Sequence, residues 1–270
     1  MKNLTFSEKK DIEKVLSSGE VTQDNVVSVI SSIAKYNLSV KHMNDDDNYT
    51  YIKNWLKIHY QYYVETELYH TIQQKINAAH TYNLLESDDL IIYQSELDVI
   101  SSAKDIRSEK VLFTLLCVAK LQKNIFGYQN GKYKFALTNI FKLARVHIPS
   151  TDRNKFLHEL LNKGYINAPF RVDDEQRYIT FMSNGESDVE VLRVNEFDFD
   201  ELAYVYLNWK NDGVGFTRCE VCNKLIKQSK TKPKKYCEEC AHSMHLESKR
   251  TSEQKRRDKI RGQNLTPQND

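Results

Sequence analysis

Four of the chain's five cysteines stand as two Cys-x-x-Cys pairs, at Cys219, Cys222, Cys237 and Cys240, with fourteen residues between the pairs. Thiolates at this spacing are suited to one metal ion. Each short loop presents two sulfurs, and two loops complete the tetrahedron that Zn²⁺ prefers. Four thiolates also fill that tetrahedron, so no position stays open for a substrate and the site is expected to be structural. His242 and His245 follow the second pair and are expected on the surface of a helix rather than as ligands. The intervening segment suits a hairpin in which "KLIKQ" and "KKYC" flank "SKTKP". After Cys237 there is no Gly or Pro until Gly262, so the second pair should open a long helix. That arrangement is a treble-clef or zinc-ribbon plan. Metal binding to such modules stabilises folding by about 10 kcal/mol, so the segment is expected to be unfolded without zinc.

Positive charge surrounds these cysteines. Residues 218–261 carry 14 Lys and Arg against 6 Asp and Glu, a formal +8, while the rest of the chain carries 25 against 31, a formal −6. A basic segment on an acidic body points to a polyanionic partner. The expected phosphate contacts are Lys232, Lys234 and Lys235 on the hairpin and Lys249, Arg250, Arg256 and Arg257 on the helix. That helix has almost no apolar face beyond Met244, Leu246 and Ile260, which leaves it exposed. Double-stranded DNA is the expected partner.

The elements that carry this segment divide by pattern into a helical N-terminal domain (1–103), a winged-helix-like domain (104–212), a four-cysteine zinc module with its basic helix (216–262), and a disordered tail (263–270). The fold class is mainly α with small β elements. In the first domain, helices are expected over 6–17, 22–36 and 50–80. The third has Ile52, Trp55, Leu56, His59, Tyr62, Tyr63, Tyr69, Ile72 and Ile76 on one face at helical spacing, a core stripe. The polar stretch before it, Lys41 to Thr50, reads as a loop, and its three aspartates at 45–47 cap the helix rather than bind metal.

In the middle domain, "RSEKVLFTLLCVAKLQ" is a helix with Cys117 buried in it. "NIFGYQNGKYKFAL" follows, with a turn at Asn130-Gly131 and room for a short strand. Thr138 is placed to cap "NIFKLARV", and Ser150 or Thr151 to cap "DRNKFLHELLNKG", which Gly164 ends. "YINAPFRV" and "RYITFMS" are strands across the turn "DDEQ". Three helices and a two-stranded wing are the order of a winged helix, whose third helix reads the major groove. Here that helix is expected to bury Phe156, Leu157, Leu160 and Leu161. It would turn Arg153, Asn154, Lys155, His158 and Lys163 outward, toward base edges or phosphates. Asp173, Asp174 and Glu175 would place three carboxylates on the wing, unfavourable beside phosphates. "VEVLRV" is a further strand, "DFDELAYVYLNWK" a connecting helix and "NDGVG" a linker.

The stretches "VLFTLLCVAKL", "KFALTNIFKLARVHIP", "HELLNKGYI" and "RCEVCNKLIKQSKTKPKKYCEECA" resemble prophage and mobile-element proteins of bacteria with AT-rich genomes. Those proteins combine a helical N-terminus, a winged-helix-like middle and a C-terminal zinc ribbon. The resemblance implies that architecture and a phage-type setting. The sequence contains no phosphate loop, no Gly-x-Ser-x-Gly and no His-Glu-x-x-His, so no enzyme is expected. The N-terminus is charged, without the apolar core of a signal peptide, and no run is long enough to span a bilayer. A cytoplasmic protein of a bacterial host is therefore expected, without membrane or small-molecule ligand. Two functions stay open. One is a DNA-binding transcriptional regulator of a phage or mobile element. The other is an interaction protein that binds a host complex, such as RNA polymerase, a replisome or a defence nuclease, without reading DNA sequence.

Overall fold

The computed structural model describes residues 5–81, 84–128, 131–134, 136–167, 176–229 and 233–263. The protein is mainly helical with small antiparallel sheets. No helix among the described residues is long and apolar enough to cross a membrane. The chain forms two compact units, each assembled from separated segments. One comprises Met1–Leu90, Leu116–Lys134 and Ile166–Met182, and the other Ile91–Leu115, Phe135–Tyr165 and Ser183–Asp270.

The first unit opens with α1 (Glu8–Ser18), α2 (Val26–Ser39), α3 (Asp45–His59) and α4 (Glu65–Ala79). Helix α2 packs against α1, α3 and α4, and the core between them is Ile30, Ile33, Ile52, Leu56, Ile72 and Ile76. Two expectations are corrected here. Helix α3 starts at Asp45, not at residue 50, because Asn44 adopts an extended conformation and accepts a hydrogen bond from the Asp47 backbone N–H. The three aspartates therefore sit on the positive N-terminal turn of α3 rather than in a loop. The single helix expected over 50–80 is broken at Tyr60, whose φ of −108° and ψ of 105° turn the chain so that α4 packs back on α3.

Helix α6 (Ile106–Phe126) runs from the second unit into the first, with Cys117 fully buried. In the first unit, β2 (Lys132–Lys134), β3 (Ile166–Asn167) and β4 (Gln176–Ile179) form a sheet of order β2-β4-β3. Gly131 admits the close approach of β2 to β4. A Cβ there would lie 2.4 Å from the Ile179 carbonyl oxygen, and its φ of +66° favours glycine. The expected wing acids Asp173, Asp174 and Glu175 lie outside the described residues.

The second unit contains β1 (Leu90–Tyr93) paired with β5 (Glu190–Val194), so the first hundred residues are not wholly helical. It also holds α5 (Gln94–Ser101), α7 (Leu137–Leu143), α8 (Ser150–Asn162), α9 (Glu196–Phe199) and α10 (Leu202–Lys210). Asp200 and Glu201 separate the last two, which the sequence suggested as one helix. Thr138 does not cap α7, whose N-cap is Ala136, and α8 follows Pro149 without a side-chain cap. Gly164, at φ +77°, lies just beyond α8 as expected.

A pair of asparagines is fully buried in the first unit. Asn37 Nδ2 donates to Asn48 Oδ1 at 2.9 Å, and Asn48 Nδ2 donates to the Ala34 carbonyl at 3.0 Å. Removing one partner leaves the other desolvated. Asn48→Ala should lower stability by about 2 kcal/mol, and the Asn37→Leu, Asn48→Leu pair should cost less than the two single changes summed. Urea denaturation of the intact chain measures both.

Candidate metal centre

Strands β6 (Phe216–Arg218) and β7 (Leu225–Lys227) form an antiparallel hairpin whose turn carries Cys219 and Cys222. The Cys219 N–H donates to the Lys224 carbonyl and the Asn223 N–H to the Cys219 carbonyl, both at 2.9 Å. Asn223 closes this turn at φ +61°, a conformation asparagine tolerates well. Cys237 immediately precedes α11 (Glu238–Gln263), and Cys240 lies in its first turn, so the second pair opens a 26-residue helix.

The expected hairpin is corrected. "LIK" pairs with "FTR" before the first cysteine pair, not with "KKYC" after it. The return from β7 is held by a side chain instead. Gln228 Nε2 donates to the Lys234 carbonyl and Gln228 Oε1 accepts from the Lys234 N–H, both at 2.8 Å. The Glu220 N–H donates to the Lys235 carbonyl at 3.0 Å, which brings the two cysteine pairs together.

The four sulfurs lie within 4.8 Å of one another, and those of Cys222 and Cys237 are 3.7 Å apart. A metal bonded to four sulfurs at tetrahedral angles would separate them by about 3.8 Å. The cluster can therefore hold a metal ion. Backbone N–H groups aim at it: that of Cys237 lies 3.3 Å from Cys219 Sγ, and that of Cys240 lies 3.4 Å from Cys237 Sγ. Burial disfavours the Cys219 thiolate, but N–H donors from Cys222, Cys237 and Val221 outweigh it and lower that thiol's pKa. Burial raises the Cys222 thiol. The Cys240 thiol is raised by its hydrogen bond with Cys237 and then by burial. Without a cation, neighbouring sulfurs resist ionising together, and a divalent metal supplies the charge that lets them do so. His242 and His245 are exposed and outside this cluster.

Charge pairs join the module to helices α9 and α10 of its own unit. Asp198, buried to 1% exposure, accepts from Arg218 Nη1 at 2.9 Å and Nη2 at 3.0 Å. Glu201 accepts from Arg145 Nε at 3.0 Å and lies 3.7 Å from Lys224 Nζ. Tyr204 and Phe216 pack ring to ring, with centroids 5.7 Å apart. Sequence reasoning missed Asp198, Glu201 and Arg145, because nothing local in "DFDELAY" marks those acids as partners of residues twenty or more positions away.

The expected nucleic-acid contacts separate into three groups. Lys234, Lys235, Lys249, Arg250, Arg256 and Arg257 are exposed, and Lys232 lies outside the described residues. Lys235 is 3.6 Å from Glu220, and Arg257 is 3.9 Å from Glu253. On α8, Asn154, Lys155, His158 and Lys163 are exposed. Arg153 is not free and outward. It donates from Nε to the Ile148 carbonyl and from Nη1 to Thr138 Oγ1, both at 3.2 Å, and lies over the Phe141 ring. The turn between α7 and α8 brings those groups to it. Leu161, expected in the core, is 36% exposed, while Leu157 and Leu160 are buried.

Comparison with protein-family models, with curated proteins and with solved structures finds no match to this chain.

Because Asp198 is buried, Arg218→Ala would leave its carboxylate without its principal counter-charge. The expected cost is about 3 kcal/mol, concentrated in the second unit, and Arg218→Ala with Asp198→Asn should recover part of it. Thermal denaturation of the metal-loaded protein checks both.

Proposed function

We propose that this is a zinc-containing DNA-binding protein, most consistent with a transcriptional regulator of a phage or mobile element, in which the C-terminal helix holds the phosphate backbone. The observation that carries the reading is the exposure of α11. Every side chain from Ala241 to Arg257 is exposed, and Lys249, Arg250, Lys255, Arg256 and Arg257 crowd its later turns. At 1.5 Å per residue its 26 residues extend about 39 Å, more than one turn of a DNA duplex. A helix so charged gains little by packing on an apolar core, whereas phosphates gain by displacing counterions from its side chains.

Zinc is the metal that fits four sulfurs at this spacing and geometry, and its role here is structural. It fixes the start of α11 and thereby the direction in which the cations project. No catalytic role enters this reading.

A winged-helix reading of the middle rests on the chain order α6, β2, α7, α8, β3, β4, with α7 and α8 in one compact unit and the sheet β2-β4-β3 in the other. In that reading base recognition by α8 falls to Asn154, Lys155, His158 and Lys163. Arg153 fixes the helix in place.

Purified protein should contain one zinc per chain, and Cys222→Ser or Cys240→Ser should release it, read by elemental analysis. Duplex affinity should fall steeply with salt. If about six cations meet phosphates, log affinity falls against log salt with a slope of about −5. Exchanging Lys249, Arg250, Lys255, Arg256 and Arg257 for Gln should remove most of that slope. Intact, zinc-loaded protein that ignores duplex DNA at low salt would turn the reading toward a protein partner.

A further inference from the structure

The metal module does more than launch α11. A cleft of about 390 Å³ opens beside it, walled by β7, by Gln228, Ser229 and Lys234, by Tyr204 of α10 and by Arg145. That volume lies in the range of small-ligand sites, about 300–1,000 Å³. Three features give the cleft its chemistry. Lys227 and Lys234 line it from exposed positions on the module, and Arg145 lies 4.4 Å from the centre of the Tyr204 ring. Lys110 stands behind Arg145, its ammonium donating to the Arg145 carbonyl at 3.0 Å. Tyr236, half-buried against the cysteine cluster, supplies a second aromatic surface.

The acids at the cleft are partly offset. Glu201 is held by Arg145 and Lys224, and Glu239 lies 3.8 Å from Lys224, while Glu238 also lines the site. Among the described residues that line the cleft, Lys227 and Lys234 are the exposed lysines. The pKa of Lys110 is lowered first by burial and then by repulsion from Arg145 and Lys227.

We propose that this cleft receives one nucleotide of a single strand, with its phosphate on Lys227 and Lys234 and its base against Tyr236. Cations beside an aromatic ring are the usual means of holding single-stranded nucleic acid without regard to sequence. The inference rests on the nucleic-acid reading of α11 and adds a second, separate contact. The helix grips duplex phosphates along its length, and the cleft takes a strand that has left the duplex, at a frayed end or an opened site.

The test uses the full zinc-loaded chain, fluorescently labelled tetrathymidylate, a blunt duplex and thymidine monophosphate. Two variants are compared with the unaltered protein. Lys227→Gln with Lys234→Gln alters the cleft, and Gln at Lys249, Arg250, Arg256 and Arg257 alters the helix. The cleft variant should bind tetrathymidylate about tenfold or more weakly and the duplex nearly as before. The helix variant should show the reverse. Unaltered protein that binds tetrathymidylate but not the duplex would remove the α11 reading and leave the cleft standing. Tetrathymidylate that fails to bind, or that binds the cleft variant unchanged, overturns the proposal. So does a monophosphate that binds as tightly as the oligonucleotide, since the cleft would then serve a free nucleotide and not a strand.

Discussion

Between residues 216 and 240 the chain has very little apolar material with which to hold itself together. Its core consists of Cys219, Ile226 and Cys237, with Cys222, Tyr236 and Cys240 packed against them. The four sulfurs are most of that core, and their mutual approach is the constraint from which the rest of the module follows. Apolar burial on this scale offsets only a few kcal/mol, less than the conformational entropy of ordering roughly twenty residues. A metal bound to four thiolates would supply the difference, and it would also fix geometry. Two sulfurs belong to the β6–β7 turn and two to the start of α11, so one ion bound there would set the angle at which the basic helix leaves the module.

The second layer is electrostatic and anchors that module to its unit. Asp198 lies in α9 and Glu201 in the short break before α10, and both are buried. A buried carboxylate is tolerable only when its charge is met, and Arg218, Arg145 and Lys224 meet these two. The break between α9 and α10 thus has a purpose that helix propensity does not reveal. It presents two acids to the arginine before the first cysteine and the lysine after the second. Tyr204, on the next turn, packs on Phe216 and lies under Arg145, so α10, the hairpin and the cleft share one set of contacts.

The parts legible in the sequence are those governed by local chemistry. Cysteine spacing marks the cluster, and the lack of Gly and Pro after Cys237 marks the long helix. Alternation in "VEVLRV" reveals β5, and Gly164 signals the end of α8. What escapes are features decided by distant partners. The break at Tyr60 is hidden because Leu56, Tyr60 and Tyr63 keep a spacing of three to four across it, so the apolar stripe continues while the backbone turns. Arg153 looks free because its helical position faces outward, yet Ile148 and Thr138 come round to it after the α7–α8 turn. The hairpin closes around the first cysteine pair, and a glutamine side chain, Gln228, makes to Lys234 the bridges that a strand after β7 would have made. Strand β1 is invisible locally because its partner, β5, lies far along the chain.

The central claim is that a metal at the four cysteines organises both the module and its attachment to α10. Amide hydrogen exchange of the intact chain, before and after chelation, tests it most directly. Removing the metal should abolish protection over residues 216–240 and the first turns of α11. Protection should also fall in Leu202–Lys210, because Arg218 and Lys224 no longer hold Asp198 and Glu201. Protection that is unchanged in both regions after complete removal of the metal would contradict that claim.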